Sequence, residues 1–176
     1  MLNRLFFALE IPSQDKAAIV QWRELTFGKF AKSIAAENLH MTMCFIGDAS
    51  SQQEQQLVEL TEQLKTHVVN MDFTYLGVFS KPGVLYIAPS EDSIAATDLA
   101  AQLKKIASTL SIRTDKRRFS PHVSLFRKVK HLPEIQHMPV FKVAFSHLVL
   151  YKSILGAEGV VYHQVASWSL SADTLN

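Results

Sequence analysis

The sequence predicts an α+β fold, and three observations carry that prediction. Stretches with a side-chain period of two alternate with stretches of helical spacing. Turn signals such as Lys81-Pro82-Gly83 separate them. The order strand, helix, strand, helix is followed by hairpin, helix, strand, hairpin, which is a rough internal repeat. A chain of 176 residues is long enough for one domain or two small lobes with a buried core. A hydrophobic share of 48% against 19% charged residues excludes a disordered chain.

Residues 4–11 are almost continuously apolar, as in a central strand, and Pro12 ends them. Ser13 is placed to cap a helix over 14–30 with an apolar side of Ala17, Val20, Trp22, Leu25 and Phe27, and Gly28 weakens its last turn. Residues 32–34 suggest a short strand, and a longer one over 39–46 ends at Gly47-Asp48. Ser51-Gln52-Gln53-Glu54 matches a capping box ahead of Leu57, Leu60 and Leu64, predicting a helix over 52–67. Residues 71–79 and 84–88 form a hairpin. Ile94, Leu99, Leu103, Ile106 and Leu110 mark a helix over 90–110. Strands over 119–127, 140–153 and 160–170 follow, with a loop at 131–139, so that seven or eight strands and three helices are expected.

Cys44 is the one cysteine, so no internal disulfide is possible and a reducing compartment is expected. It lies in an apolar context that suits a buried structural thiol better than a nucleophile. There is no CxxC and no Cys/His zinc spacing. The N-terminal apolar run is cut short by Glu10 and Pro12, unlike a signal peptide, and no stretch approaches the length of a membrane span. A cytoplasmic protein without membrane association is expected.

The chain is organised around Asn38-Leu39-His40-Met41-Thr42-Met43-Cys44-Phe45-Ile46-Gly47. Its His-x-Thr core returns as Pro121-His122-Val123-Ser124-Leu125-Phe126, with the two histidines 82 residues apart. On a strand, alternation puts His40 with Thr42, and His122 with Ser124, on one face, while Met41, Met43, Val123 and Leu125 take the other. Each copy offers an imidazole and a hydroxyl on an apolar-backed strand. His67, His131, His137, His147 and His163 lack a Thr or Ser two residues on and are assigned to structure or surface.

Two such pairs suit phosphate chemistry. Imidazole titrates near neutral pH, so one ring can accept a proton from an attacking hydroxyl while the other donates one to a leaving oxygen. Thr42 and Ser124 can hold the non-bridging oxygens as charge develops on them. The net charge is +2, but residues 113–130 carry seven basic side chains against one acid, a local charge of +6 around the second motif. That potential favours an anionic substrate; the competing reading is a solvated basic loop.

With these motifs in hand, the chain resembles the two-histidine (2H) phosphoesterase superfamily, and within it the bacterial RNA 2′,3′-cyclic phosphodiesterases, also called 2′-5′ RNA ligases. The likeness extends to Arg4-Leu5-Phe6-Phe7-Ala8-Leu9-Glu10-Ile11-Pro12, to Phe119-Ser120-Pro121-His122-Val123-Ser124-Leu125-Phe126-Arg127 and to Leu150-Tyr151-Lys152-Ser153, nearly end to end. Ser124 stands where the family more often has Thr, which keeps the hydroxyl. Met43 and Cys44 depart from the usual residues on the packing side. The resemblance implies a single bilobal domain over 1–176, with two antiparallel sheets flanking a central cleft and helices outside. It implies metal-independent opening of RNA 2′,3′-cyclic phosphate ends to 2′-phosphates, and 2′-5′ ligation without ATP in reverse. It assigns His40 as proton donor and His122 as proton acceptor, with Thr42, Ser124 and Arg127 holding the phosphate. Phe6, Phe7 or Phe45 is available to stack on a base. No cofactor or metal and no protein partner is expected, and the chain should be a monomer acting on RNA or nucleotides. The alternatives are a related enzyme acting on ADP-ribose 1″,2″-cyclic phosphate or 2′-5′-linked oligonucleotides, and a non-enzymatic RNA-binding protein using the 113–130 segment.

Overall fold

The computed structural model describes residues 2–156 and 159–172. Nine strands and three α-helices occur among them: β1 (Leu2–Glu10), α1 (Ser13–Phe27), β2 (Lys32–Ser33), β3 (His40–Ser50), α2 (Ser51–Thr61), β4 (Val69–Phe79), β5 (Val84–Pro89), α3 (Ile94–Thr109), β6 (Val123–Arg127), β7 (Phe141–Phe145), β8 (His147–Gly156) and β9 (Gly159–Ser169). A short 3-10 turn at Ala36–Asn38 leads into β3. Every strand pair is antiparallel, in the order β7-β4-β5-β6-β3-β1-β8-β9, with β2 added to β6.

The two expected sheets are the two halves of this one sheet. They meet between β3 and β6 at a single pair, Met41 with Val123, both fully buried. The order is a palindrome about that seam. On each side a strand (β1 or β5) leads through a helix (α1 or α3) to a motif strand (β3 or β6) beside it. The helices tie the halves together. α1 follows β1 yet packs on β7 of the other half, and α3 follows β5 yet packs on β3.

The largest departure from the sequence reading is the strand expected over 140–153. It breaks at Ser146 into β7, which pairs with β4, and β8, which pairs with β1. One apolar alternating stretch therefore serves both halves. The first motif strand does not end at Gly47 but runs on to Ser50, and the second begins at Val123, with His122 just before it.

Helix ends also shift. Pro12, not Ser13, occupies the cap position of α1, where no side chain caps the first turn. The helix stops three residues early because Gly28 adopts φ 51°, a left-handed conformation that glycine takes without steric cost. Its buried residues are Ile19 and Arg23; Leu25 is 81% exposed and Ala17 is exposed too, while Val20, Trp22 and Phe27 pack at the edge of the core. The capping box of α2 is one residue earlier than expected, with Ser50 and Gln53 bonding reciprocally, and the helix ends at Thr61. Ser93 caps α3, which leaves Ile94 outside the core while Leu99, Leu103 and Ile106 are buried.

Candidate active site

The antiparallel register that pairs Met41 with Val123 sets His40 opposite Ser124 and Thr42 opposite His122 on the other face. The two imidazoles and two hydroxyls therefore stand at the corners of one patch over the seam. In a regular ladder the diagonal neighbours are about 7–8 Å apart, a gap that one phosphate can span. Both rings are held in the same way. Nδ1 of His40 donates to the Asn38 carbonyl at 2.7 Å, and Nδ1 of His122 donates to the Ser120 carbonyl at 2.8 Å. Each ring is thus anchored two residues upstream, leaving Nε2 for chemistry. Nε2 of His40 lies 3.0 Å from the Thr42 hydroxyl.

Matching β-bulges shape the patch on both sides of the seam. Phe7 pairs with Cys44 and Ala8 with Thr42, so Met43 is an extra residue. Leu85 pairs with Phe126 and Tyr86 with Ser124, so Leu125 is an extra residue. In each case the bulge comes three residues after the histidine and reverses the alternation beyond it. Cys44 and Phe126 turn into the core. Phe45 and Arg127, which strict alternation would send into the core, return to the cleft face. Arg127 ends exposed and close enough for its charge to disfavour protonation of His40.

Aromatic rings enclose the histidines. Phe6 and Tyr162 approach the His40 ring at centroid distances of 5.1 and 5.4 Å, and Tyr151 at 6.3 Å. Phe79 and Tyr86, stacked at 4.2 Å, present themselves to His122 at 4.9 and 5.5 Å. Burial in this wall pushes the His40 pKa down from 6.5 to about 4, and the positive charges of His122, Lys16 and Arg127 push the same way. Burial lowers the His122 pKa as well, and it raises those of Tyr151 and Tyr86. Cys44 is buried with its thiol pushed up to about 11, so it is no nucleophile. Among the described residues no group of three or more His, Cys, Asp or Glu side chains could hold a metal ion.

Residues 11–153, including both histidine motifs, match the family described as the 2′-5′ RNA ligase superfamily. The chain belongs to that superfamily. It is 26% identical to an RNA 2′,3′-cyclic phosphodiesterase of Escherichia coli, over 96% of this chain and 97% of that one. It is 24% identical to a protein of the same name from Methanocaldococcus jannaschii, over 94% and 99% of the two chains. The fold superposes on E. coli LigT crystallised with 3′-AMP at a TM-score of 0.89 and 24% identity, covering 97% of this chain and 99% of that one. The α+β fold, with its curled antiparallel sheet and three helices, is thus the fold of the superfamily.

Placed on this superfamily member, the expected residues divide clearly. His40, Thr42, His122, Ser124 and Arg127 share the cleft face. Of the three aromatic candidates, Phe7 is fully buried in the core, Phe6 is nearly buried against His40, and Phe45 is 59% exposed beside Phe6 at 5.8 Å. The sequence reading missed Tyr86, Tyr151 and Tyr162, together with the anchoring carbonyls of Asn38 and Ser120. The carbonyls had no signal in the sequence reading, which ran the second motif strand over 119–127, whereas it begins at Val123. The tyrosines had none, because each reaches the site through pairing with a distant strand.

Proposed function

We infer that this chain is an RNA 2′,3′-cyclic phosphodiesterase, one bilobal domain that acts as a monomer on RNA or nucleotides ending in a 2′,3′-cyclic phosphate. The observation that carries the reading is the pair of histidines, each fixed through Nδ1 and each beside a hydroxyl, brought together at the seam. His122 takes a proton from water through Nε2 as the oxygen attacks phosphorus. His40 gives a proton to O3′ as the P–O3′ bond breaks, leaving a 2′-phosphate. Thr42, Ser124 and Arg127 hold the non-bridging oxygens while their charge grows. Phe45 offers its exposed ring to the base.

The low pKa of His40 fits the donor's part. With its pKa lowered to about 4 the ring is neutral at pH 7, and the charge of a bound phosphate favours its protonation. A proton so placed is readily passed to a departing alkoxide. The same groups run backwards on a 5′-hydroxyl end would form a 2′-5′ linkage without ATP. The cycle needs only protons, so no metal or other cofactor is invoked. A cytoplasmic location accords with the single free, buried cysteine; among the described residues no helix is long and apolar enough to cross a membrane.

The test is product analysis on a synthetic oligoribonucleotide ending in a 2′,3′-cyclic phosphate, with EDTA present. The expected product carries only a 2′-phosphate. A 3′-phosphate product, or activity abolished by the chelator, rejects the mechanism. Faster turnover of ADP-ribose 1″,2″-cyclic phosphate or of 2′-5′-linked oligonucleotides would move the assignment to that relative. RNA binding without turnover, unaffected by loss of the histidines, would make the protein a binder instead.

A further inference from the structure

The two-residue strand β2 pairs with the end of β6, and its register sets Lys32 opposite Arg127. The two cationic side chains leave the sheet on the same face, about 5 Å apart at Cβ. Like charges placed directly opposite destabilise a sheet. No acid offsets them: among the described residues the ion pairs are Arg23–Glu24, Arg117–Asp115 and Arg118–Asp92. Both Lys32 and Arg127 are exposed. The same end of β6 is also fixed to the rest of the fold. Ile34 N–H donates to the Leu125 carbonyl, and the buried Arg23 side chain donates to the Ile34 carbonyl. The cation pair is therefore held in place by backbone and not left on a free loop.

Its distance from the catalytic patch follows from the bulge. Across β5, Ser124 opposes Tyr86 and Arg127 opposes Val84, two residues away on the same face. Two strand residues span about 7 Å. Successive phosphates of a single RNA strand are separated by a distance of the same order.

We propose that, beside Arg127, Lys32 forms a second phosphate subsite, which holds the phosphodiester joining the terminal nucleotide to its 5′ neighbour, with Arg127 standing between this phosphate and the cyclic one. The proposal rests on the reading of the seam as a cyclic-phosphate site. It makes the preferred substrate an oligoribonucleotide end, with a free cyclic mononucleotide bound through the seam and Arg127 but without Lys32. It also gives β2 a purpose: the short strand brings a lysine from a distant part of the chain beside the arginine of the second motif.

The experiment compares kcat/KM on a 2′,3′-cyclic mononucleotide and on a trinucleotide with the same 3′ base and cyclic end. Wild type should prefer the trinucleotide. Lys32→Gln should lower that preference about tenfold, the loss of one charge-assisted contact, and Lys32→Arg should restore it. For the trinucleotide, the slope of log(kcat/KM) against log[salt] should become shallower by about 0.7 in Lys32→Gln, the value for one phosphate contact on a single strand. Lys142→Gln, on β7 away from the seam, should change neither quantity. Equal kcat/KM for the two substrates in wild type, or an unchanged preference and slope in Lys32→Gln, overturns the subsite while leaving the cyclic-phosphate reading intact. Failure of wild type to open either substrate overturns both.

Discussion

Acid should weaken this fold through His40 in particular. Its ring is fixed by the Asn38 carbonyl and the Thr42 hydroxyl and walled by Phe6, Tyr151 and Tyr162. Burial is the main cause that takes its pKa from 6.5 to about 4. The unfolded chain binds a proton at this ring below about pH 6.5, and the folded chain only below about pH 4. Between these values the unfolded state holds more protons, so stability falls as pH falls through that window and is restored above it. At about pH 5 the unfolded ring is largely protonated and the folded ring largely neutral. The energy lost is then about 2 kcal/mol, at about 1.4 kcal/mol per pH unit below the unfolded pKa. The assay is urea denaturation of wild type and His40→Gln at about pH 7.5 and about pH 5. Wild type should lose about 2 kcal/mol more than the variant between the two conditions. The depressed pKa of His122 adds a pH dependence shared by both proteins, which the comparison largely removes. Equal losses in the two proteins, or a His40 ring that titrates near 6.5 by NMR in the free protein, would refute the reasoning.

Other outcomes follow from the same structure. His40→Ala and His122→Ala should each lower kcat by about 10²–10⁴-fold, and the double variant should cost little beyond either, because the proposed mechanism has the two act in one step; additive losses in single-turnover kinetics would separate them. A Cβ at Gly77 would lie 2.5 Å from the Tyr86 ring. Gly77→Ala should therefore destabilise by about 1–3 kcal/mol and impair turnover by displacing the ring that faces His122; a crystal structure with Tyr86 unmoved and full activity would contradict this. Ser124→Thr should retain activity and Ser124→Ala should lose it, since the hydroxyl is what the two residues share; matched kcat values for all three would remove Ser124 from the phosphate site. Native Cys44 should resist iodoacetamide at about pH 8 and react on unfolding, as a buried thiol with a raised pKa does; mass spectrometry reads the adduct.

Much of this protein is written in short-range pattern. Alternation over His40-Met41-Thr42 and His122-Val123-Ser124 settles that each imidazole shares a face with its hydroxyl, because a strand has a period of two whatever it pairs with. Apolar spacing at Leu99, Leu103 and Ile106 likewise marks the buried side of α3. The duplication of the histidine motif already implies that two groups act together.

The remainder depends on partners far away in the chain. Whether Arg127 faces the cleft is decided by a bulge, and a bulge exists only when one strand is counted against another, here Leu125 against β5 and Met43 against β1. Strict alternation read along either strand alone places Phe45 and Arg127 in the core. The break at Ser146 has the same origin, since residues on either side of it are captured by strands in opposite halves of the sheet. The tyrosines around the histidines, the depressed pKa of His40 and the placement of Lys32 beside Arg127 all come from pairing and burial, which are properties of the assembled sheet. Sequence alone determined which residues the proposed chemistry uses and which face each motif presents. Tertiary structure decided that both faces meet at one seam, because only antiparallel pairing across 82 residues can set Met41 against Val123.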